Sequence, residues 1–346
     1  MLFLKRENFT TKETGIALGA TKTFKIPRLF HIESLFIRVK VTVSNVTGSA
    51  AMATANADGM ANILKRCTLD VSDGASTRKV VDMSGRGLLD YAQQIAGVDV
   101  YFATNKDINS DAVSYTFYYP IYCCHPQVAD PLGSALLLPA PRYNDDPVLT
   151  LTFASQSDMD VNGTPIFAID AMEADVVVHR REVTDPKLRP LNWELAENTV
   201  AYPSTVSKYA YDLPIPGSYT GLLLRCYTST SARGDVSQTD GVFSLEALGN
   251  VIRRVRLLDL LTLNSVSYGS SATFNTAGNY YFDFLSDKIG ESVSDFGSLL
   301  DANPLAGSGS KLQLIQDITG GAGVQIKYVT HRIFGDLSRF KLAAKK

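Results

Sequence analysis

Leu35, Ile37, Val39, Val41 and Val43 alternate with Phe36, Arg38, Lys40, Thr42 and Ser44. Side chains of an extended chain point to opposite faces in turn, so this two-residue period predicts a strand with one buried face. The first unit begins at residues 21–28, and similar patterns predict strands at residues 63–71, 113–124 and 148–154, with one long or two shorter strands over 167–182. In the second half the strands fall at 206–213, 221–228, 251–263, 311–318 and 324–334. Two stretches change period. Over 84–97, Leu88, Tyr91, Ala92, Ile95 and Ala96 recur at helical spacing and Gly97 is placed to end the helix; over 284–300, Leu285, Ile289, Val293, Phe296 and Leu300 share one face.

Parts of this pattern occur twice. Phe36-Ile37-Arg38-Val39 matches Leu223-Leu224-Arg225-Cys226 at a separation of 187, from 38 to 225. Asn62-Ile63-Leu64-Lys65-Arg66-Cys67-Thr68-Leu69 matches Asn250-Val251-Ile252-Arg253-Arg254-Val255-Arg256-Leu257 at 188, from 62 to 250. Val176-Val177-Val178-His179-Arg180 matches Tyr328-Val329-Thr330-His331-Arg332 at 152, from 179 to 331. Landmarks in the same order predict an internal duplication whose second copy is shorter in its loops, where insertions are tolerated. The organisation expected is an N-terminal arm over 1–20, a first domain over 21–184, a linker over 185–197, a second domain over 198–335 and a basic C-terminal arm over 336–346.

A length of 346 residues accommodates two cores, and 45% hydrophobic with 20% charged residues is the composition of a folded protein. A net charge of -2 leaves no global attraction to nucleic acid, so any such contact has to be local. Met1-Leu2-Phe3-Leu4-Lys5-Arg6 is too short for the apolar core of a signal peptide, and no apolar run reaches a membrane span, so synthesis and folding in the cytoplasm are expected. The four cysteines show no disulfide-framework spacing, which predicts reduced thiols.

Short strands with one helix per half argue for an all-β protein built of sandwiches or jelly rolls. The succession Ala61-Asn62-Ile63-Leu64-Lys65-Arg66, the helix with Gly87-Leu88-Leu89-Asp90-Tyr91, the strand Tyr115-Thr116-Phe117-Tyr118-Tyr119, a Pro-rich loop and Val148-Leu149-Thr150-Leu151-Thr152-Phe153-Ala154 resembles the double jelly-roll major capsid proteins of tailless icosahedral viruses with an internal membrane, tectiviruses above all. The resemblance covers the first half well and the second mainly through the duplication. It implies two jelly-roll barrels side by side, each with one short helix, in homotrimers of pseudo-hexagonal outline that tile a virion shell. It also implies trimer–trimer contacts, minor capsid and vertex proteins as partners, outward loops, and barrel bases and an N-terminal segment that face the membrane. The N-terminal arm here is shorter than the long helical arm of the family, which leaves that arm's membrane role open.

Candidate chemistry is sparse. His31, His125, His179 and His331 are the histidines, and two of them are paired landmarks of the duplication, as expected of structural strand positions. Gly-x-Ser-x-Gly and phosphate-loop sequences are absent; Gly307-Ser308-Gly309-Ser310-Lys311 leads into a strand where a phosphate loop requires a helix. Cys123-Cys124-His125 lacks a second ligand pair for zinc, and Gly320-Gly321-Ala322-Gly323 reads as a turn. Asp158, Asp160 and Asn162, followed by Gly163, place oxygen ligands at the alternating positions of a calcium loop, but Ile169 stands where that loop needs a glutamate. Two readings follow, a structural calcium ion or a polar β-turn. Lys65-Arg66 and Arg253-Arg254-Arg256 read as exposed or subunit-facing sides of sheets. Lys5, Arg6, Arg339, Lys341, Lys345 and Lys346 are candidates for contact with an anionic membrane, the C-terminal group being equally readable as a solvated tail.

The function expected is therefore that of a capsid building block rather than an enzyme, with no direct sequence-specific nucleic-acid partner. A lectin-like or receptor-binding duplicated β-sandwich spike is the alternative, and should display aromatic platforms in its loops. A cupin-type enzyme would need clustered His and Glu ligands, which the sequence does not offer.

Overall fold

The computed structural model describes residues 5–10, 12–45, 58–96, 113–124, 136–159, 167–182, 190–237, 241–257, 259–262, 278–284, 300–302 and 311–335. Compact packing divides the described chain into two units, the first ending at Pro190 and the second starting at Leu191.

In the first unit the strands are β1 (Lys5–Phe9), β2 (Thr21–Lys25), β3 (His31–Asn45), β4 (Leu64–Ser72), β5 (Thr77–Met83), β6 (Val113–Tyr122), β7 (Val148–Phe153) and β8 (Phe167–Arg181). One antiparallel sheet has the order β1-β8-β3-β6, and in the other β5, β4, β7 and β2 are neighbours in that order. Leu35, Ile37, Val39, Val41 and Val43 are fully buried, so the apolar face of β3 is the core face. Helix α1 (Gly85–Ala96) follows β5 with Leu88, Leu89, Tyr91, Ala92 and Ile95 buried. Ser84 caps it, its Oγ accepting from the Gly87 amide at 3.1 Å. A Cβ at Gly85 would lie 2.5 Å from the Leu64 carbonyl and 2.9 Å from the Tyr119 ring, so the helix start packs on the sheet at a distance only glycine allows.

The second unit contains β9 (Asn192–Ala201), β10 (Val206–Leu213), β11 (Ser218–Ser229), β12 (Ala232–Arg233), β13 (Val242–Ala247), β14 (Asn250–Arg256), β15 (Asn279–Asp283), β16 (Leu300–Asp301), β17 (Leu312–Ile318) and β18 (Gln325–Phe334). β9, β18, β11 and β15 pair in sequence, and β10-β17-β13-β14 is the other sheet; the two-residue β12 and β16 attach to the ends of β11. With those two short strands set aside, both units order their eight strands as first-eighth-third-sixth and fifth-fourth-seventh-second, the jelly-roll arrangement. The core of the second unit is rich in tyrosine. Tyr211 stacks on Tyr328 at 3.7 Å, and the Tyr328 hydroxyl bonds to the Tyr202 hydroxyl at 2.6 Å and accepts from Nε2 of Gln316, so the two hydroxyls are satisfied, whereas the Gln316 Oε1 has no hydrogen-bond partner among the described residues.

The duplication extends to register. Ser34 lies opposite His179 and Arg38 opposite Asp175; Gly221 lies opposite His331 and Arg225 opposite Lys327. Both ladders are interrupted one step earlier, between Ile32 and Ser34 and between Tyr219 and Gly221. The hairpins match as well: the β4–β5 ladder shifts between Leu69 and Asp70, leaving Val80 as the extra residue, and the β13–β14 ladder shifts between Leu245 and Glu246, leaving Ile252.

Several expectations are revised. Asn62 sits in the 3-10 turn entering β4, the fourth strand, whereas Asn250 opens β14, the fifth, so that pair is not equivalent. Both segments carry adjacent cations in a strand among apolar residues, a pattern too general to fix register. The expected N-terminal arm over 1–20 contains β1, hydrogen-bonded to β8, and the expected linker over 185–197 contains the start of β9. The strand expected over 251–263 ends at Arg256, and Leu257 and Leu260 are buried in helical conformation. The helix expected over 284–300 in the second unit lies almost wholly outside the described residues.

Candidate assembly surface

The sequence candidates do not converge. Asp158 lies in the single-turn helix α2 (Gln156–Met159), where its carboxylate accepts from the Ser155 amide at 2.8 Å and the Ser155 hydroxyl at 2.7 Å, while the Asp158 amide donates back to the Ser155 carbonyl at 3.2 Å. The carboxylate reaching back to the Ser155 amide is one half of a capping box, with Asp in place of Glu; the Ser155 hydroxyl donates to the same carboxylate instead of accepting from the Asp158 amide. Lys65 Nζ adds an ion pair at 3.0 Å. Burial raises the Asp158 pKa, but the bonds from Ser155 and Lys65 outweigh it and hold the carboxyl below its ordinary value. Asp160 and Asn162 lie outside the described residues. Among the described residues no group of three or more His, Cys, Asp or Glu side chains is placed to hold a metal ion.

His179 accepts or donates at Ser34 Oγ over 3.2 Å and packs on Phe36, whereas His331 packs edge-on against Trp193 with ring centres 5.6 Å apart. His31 is half-buried in the first unit, and burial, then the Arg142 charge, lower its pKa to about 4. His125 lies outside the described residues. Cys123 is buried, which raises its thiol pKa well above the ordinary value.

The basic residues fall into two groups. Arg66 forks onto Asp82 at 2.6 and 2.7 Å and Lys65 is held by Asp158, so the cations of β4 are matched within their own unit. Inside the second barrel Arg225 is fully buried and donates to Glu197 at 3.0 Å and to the Tyr227 hydroxyl at 2.7 Å; Lys327 lies 3.8 Å from the same carboxylate. On β14, Arg253 donates to the Asp283 carbonyl at 3.3 Å, while Arg254 and Arg256 stand exposed. Lys5 and Arg6 belong to the backbone ladder of β1; Arg339, Lys341, Lys345 and Lys346 lie outside the described residues. Among the described residues no helix is long and apolar enough to cross a membrane.

What faces outward is apolar at one place above others. Among the described residues the exposed large hydrophobics are Leu29, Leu248, Val251 and Ile252, and three of these four fall within five positions on the β13–β14 hairpin. Tyr115, Tyr119, Tyr219, Tyr281 and Tyr328 are buried, so these rings form core and not a glycan platform. The sequence placed Val251 and Ile252 in a strand but carried no sign that they face outward, because apolar residues in a strand normally read as core.

No protein-family model and no curated sequence matches the chain. Solved structures do. The chain is similar to the crystal structure of the STIV MCP, with 16% identity and a TM-score of 0.69 over 99% of this chain and 100% of that one. It is also similar to PBCV-1 VP54 as fitted into a reconstruction of the virophage Sputnik, with 12% identity and a TM-score of 0.60 over 96% and 94%. A third is the major capsid protein P2 from bacteriophage PM2, with 10% identity and a TM-score of 0.58 over 95% and 98%. The fold is the double jelly roll found in viral major capsid proteins.

Proposed function

We propose that this chain is a viral major capsid protein: it trimerises, the six barrels of a trimer form a pseudo-hexagonal capsomer, and capsomers tile an icosahedral shell around an internal membrane. The observation that carries the reading is the end-to-end likeness, 99% of this chain against 100% of the STIV MCP, so that the two barrels account for essentially the whole of both proteins. The physics is consistent. Paired sheets leave few edges open and free the loops to vary at contacts, and many weak contacts repeated over a closed shell are collectively strong. The mechanism is self-association, with no bond made or broken. Minor capsid and vertex proteins complete such a shell, and the basic residues Arg339, Lys341, Lys345 and Lys346 supply its contact with lipid, each cation near an anionic surface contributing about 1 kcal/mol.

Light scattering on the purified chain tests this reading. A mass three times the chain's 37.6 kDa supports it, and a chain that stays single at every concentration counts against it. Removal of residues 339–346 separates the lipid contact from assembly: binding to anionic vesicles falls while the trimer persists.

A further inference from the structure

We infer that the outer strand β14 and its apolar hairpin tip, residues 248–252, dock against a second copy of this chain. The inference rests on the capsid reading and adds a place to it.

The first unit supplies the comparison. β5 and β14 are the same strand of the repeated barrel, and both carry one extra residue at the same bulge, Val80 and Ile252. Val80 is 0% exposed; Ile252 is 49% exposed. Its neighbours Leu248 and Val251 are 65% and 56% exposed. Among the described residues β14 pairs with β13 alone, and no described strand lies on its other edge. An open edge strand with bare aliphatic side chains invites pairing with another chain, and proteins normally guard such edges with charge or cover. The barrel plan written into this chain buries the bulge residue in one copy and leaves it in water in the other.

Charge selects the occupant. Residues 248–257 contain Arg253, Arg254 and Arg256 and no acid, a local charge of +3, whereas the whole chain is at -2, which leaves -5 for everything outside this segment. Arg254 and Arg256 are exposed on the same strand as the apolar cluster. A strip that is both apolar and cationic is attracted by the net negative charge of the rest of another copy and would be repelled by a second strip like itself. The contact is therefore heterologous, strip against a different surface, and such contacts close into rings when the rotation allows.

The test compares wild type with a Val251→Asp/Ile252→Asp double variant and an Arg254→Glu/Arg256→Glu double variant. Concentration-dependent mass and hydrogen exchange over residues 250–256 are measured. The expected result is a wild-type oligomer that protects 250–256 relative to its diluted monomer, with dissociation of the aspartate variant at about hundredfold higher protein concentration. The glutamate variant should dissociate more readily at low salt, the difference narrowing as salt is added. Because the altered side chains are exposed, both variants should keep the wild-type far-ultraviolet spectrum; should either fail to fold, the exchange measurement on wild type alone decides. A wild-type oligomer whose 250–256 amides exchange as fast as in the monomer overturns this inference and leaves the capsid reading intact. A wild-type chain that never oligomerises removes both.

Discussion

His179 and His331 hold one register position in two barrels: the first lies opposite Ser34 on β3 and the second opposite Gly221 on β11, each one step beyond an irregularity in its ladder. The histidine is kept and its partner has changed. Ser34 Oγ bonds the His179 ring at 3.2 Å, whereas the space that a side chain at Gly221 would need is filled by Tyr281.

These two positions should respond differently to alanine. Ser34→Ala removes one hydrogen bond and should cost about 1 kcal/mol. Gly221→Ala would put a Cβ 2.3 Å from the hydroxyl and 2.7 Å from the ring of Tyr281, which is fully buried, so overpacking should cost about 1–3 kcal/mol. Urea midpoints of the two variants check the order.

Arg38 and Arg225 are a second equivalent pair with unequal burial. The Arg38 side chain is 35% exposed beside Asp175, while that of Arg225 is 0% exposed beside Glu197. Glu197→Ala leaves a guanidinium buried without its carboxylate and should destabilise by about 3–5 kcal/mol. Asp175→Ala leaves a cation that water reaches and should cost about 1 kcal/mol or less. Equal losses in denaturation would show that the two pairs are not distinguished by burial.

His31 predicts a direction with pH. Its pKa is lowered from 6.5 unfolded to about 4 folded, so the unfolded chain binds more protons between these values. The stability gained by keeping this imidazole neutral is complete above 6.5 and is lost as pH falls from there towards 4. Thermal midpoints should drop over that interval, and His31→Gln should flatten the drop without altering the behaviour above pH 7.

Asp158→Ala should cost about 1 kcal/mol, since it removes the two bonds that the carboxylate accepts from the Ser155 amide and hydroxyl. Lys65→Ala should cost less, because the lysine side chain is 54% exposed and its pair is screened. A loss at Lys65 as large as that at Asp158 would contradict the capping account.

Strands with one wet face were legible in the residues. β10 falls at 206–213 and β17 begins one residue after its expected start, because both alternate apolar and polar residues. Helix α1 was legible for the same reason at a different period. β15 was not, since all five residues of Asn-Tyr-Tyr-Phe-Asp are buried and a strand covered on both faces has no alternation to read. β1 and β9 are polar enough to pass for an arm and a linker, and only their ladders with β8 and β18 identify them. Of the duplication, the landmarks at Arg38/Arg225 and His179/His331 hold in register, while Asn62/Asn250 matched two strands that are neighbours in the jelly roll. Val251 and Ile252 read only as the start of a strand, because exposure of an aliphatic residue is a property of its surroundings and not of its local pattern.

Electron microscopy of shells assembled from this chain tests the central claim most directly. The account predicts capsomers with six barrel-shaped densities built from three copies, each copy giving two consecutive barrels. Capsomers in which each barrel belongs to a separate chain, or shells from which this chain is missing, would contradict it.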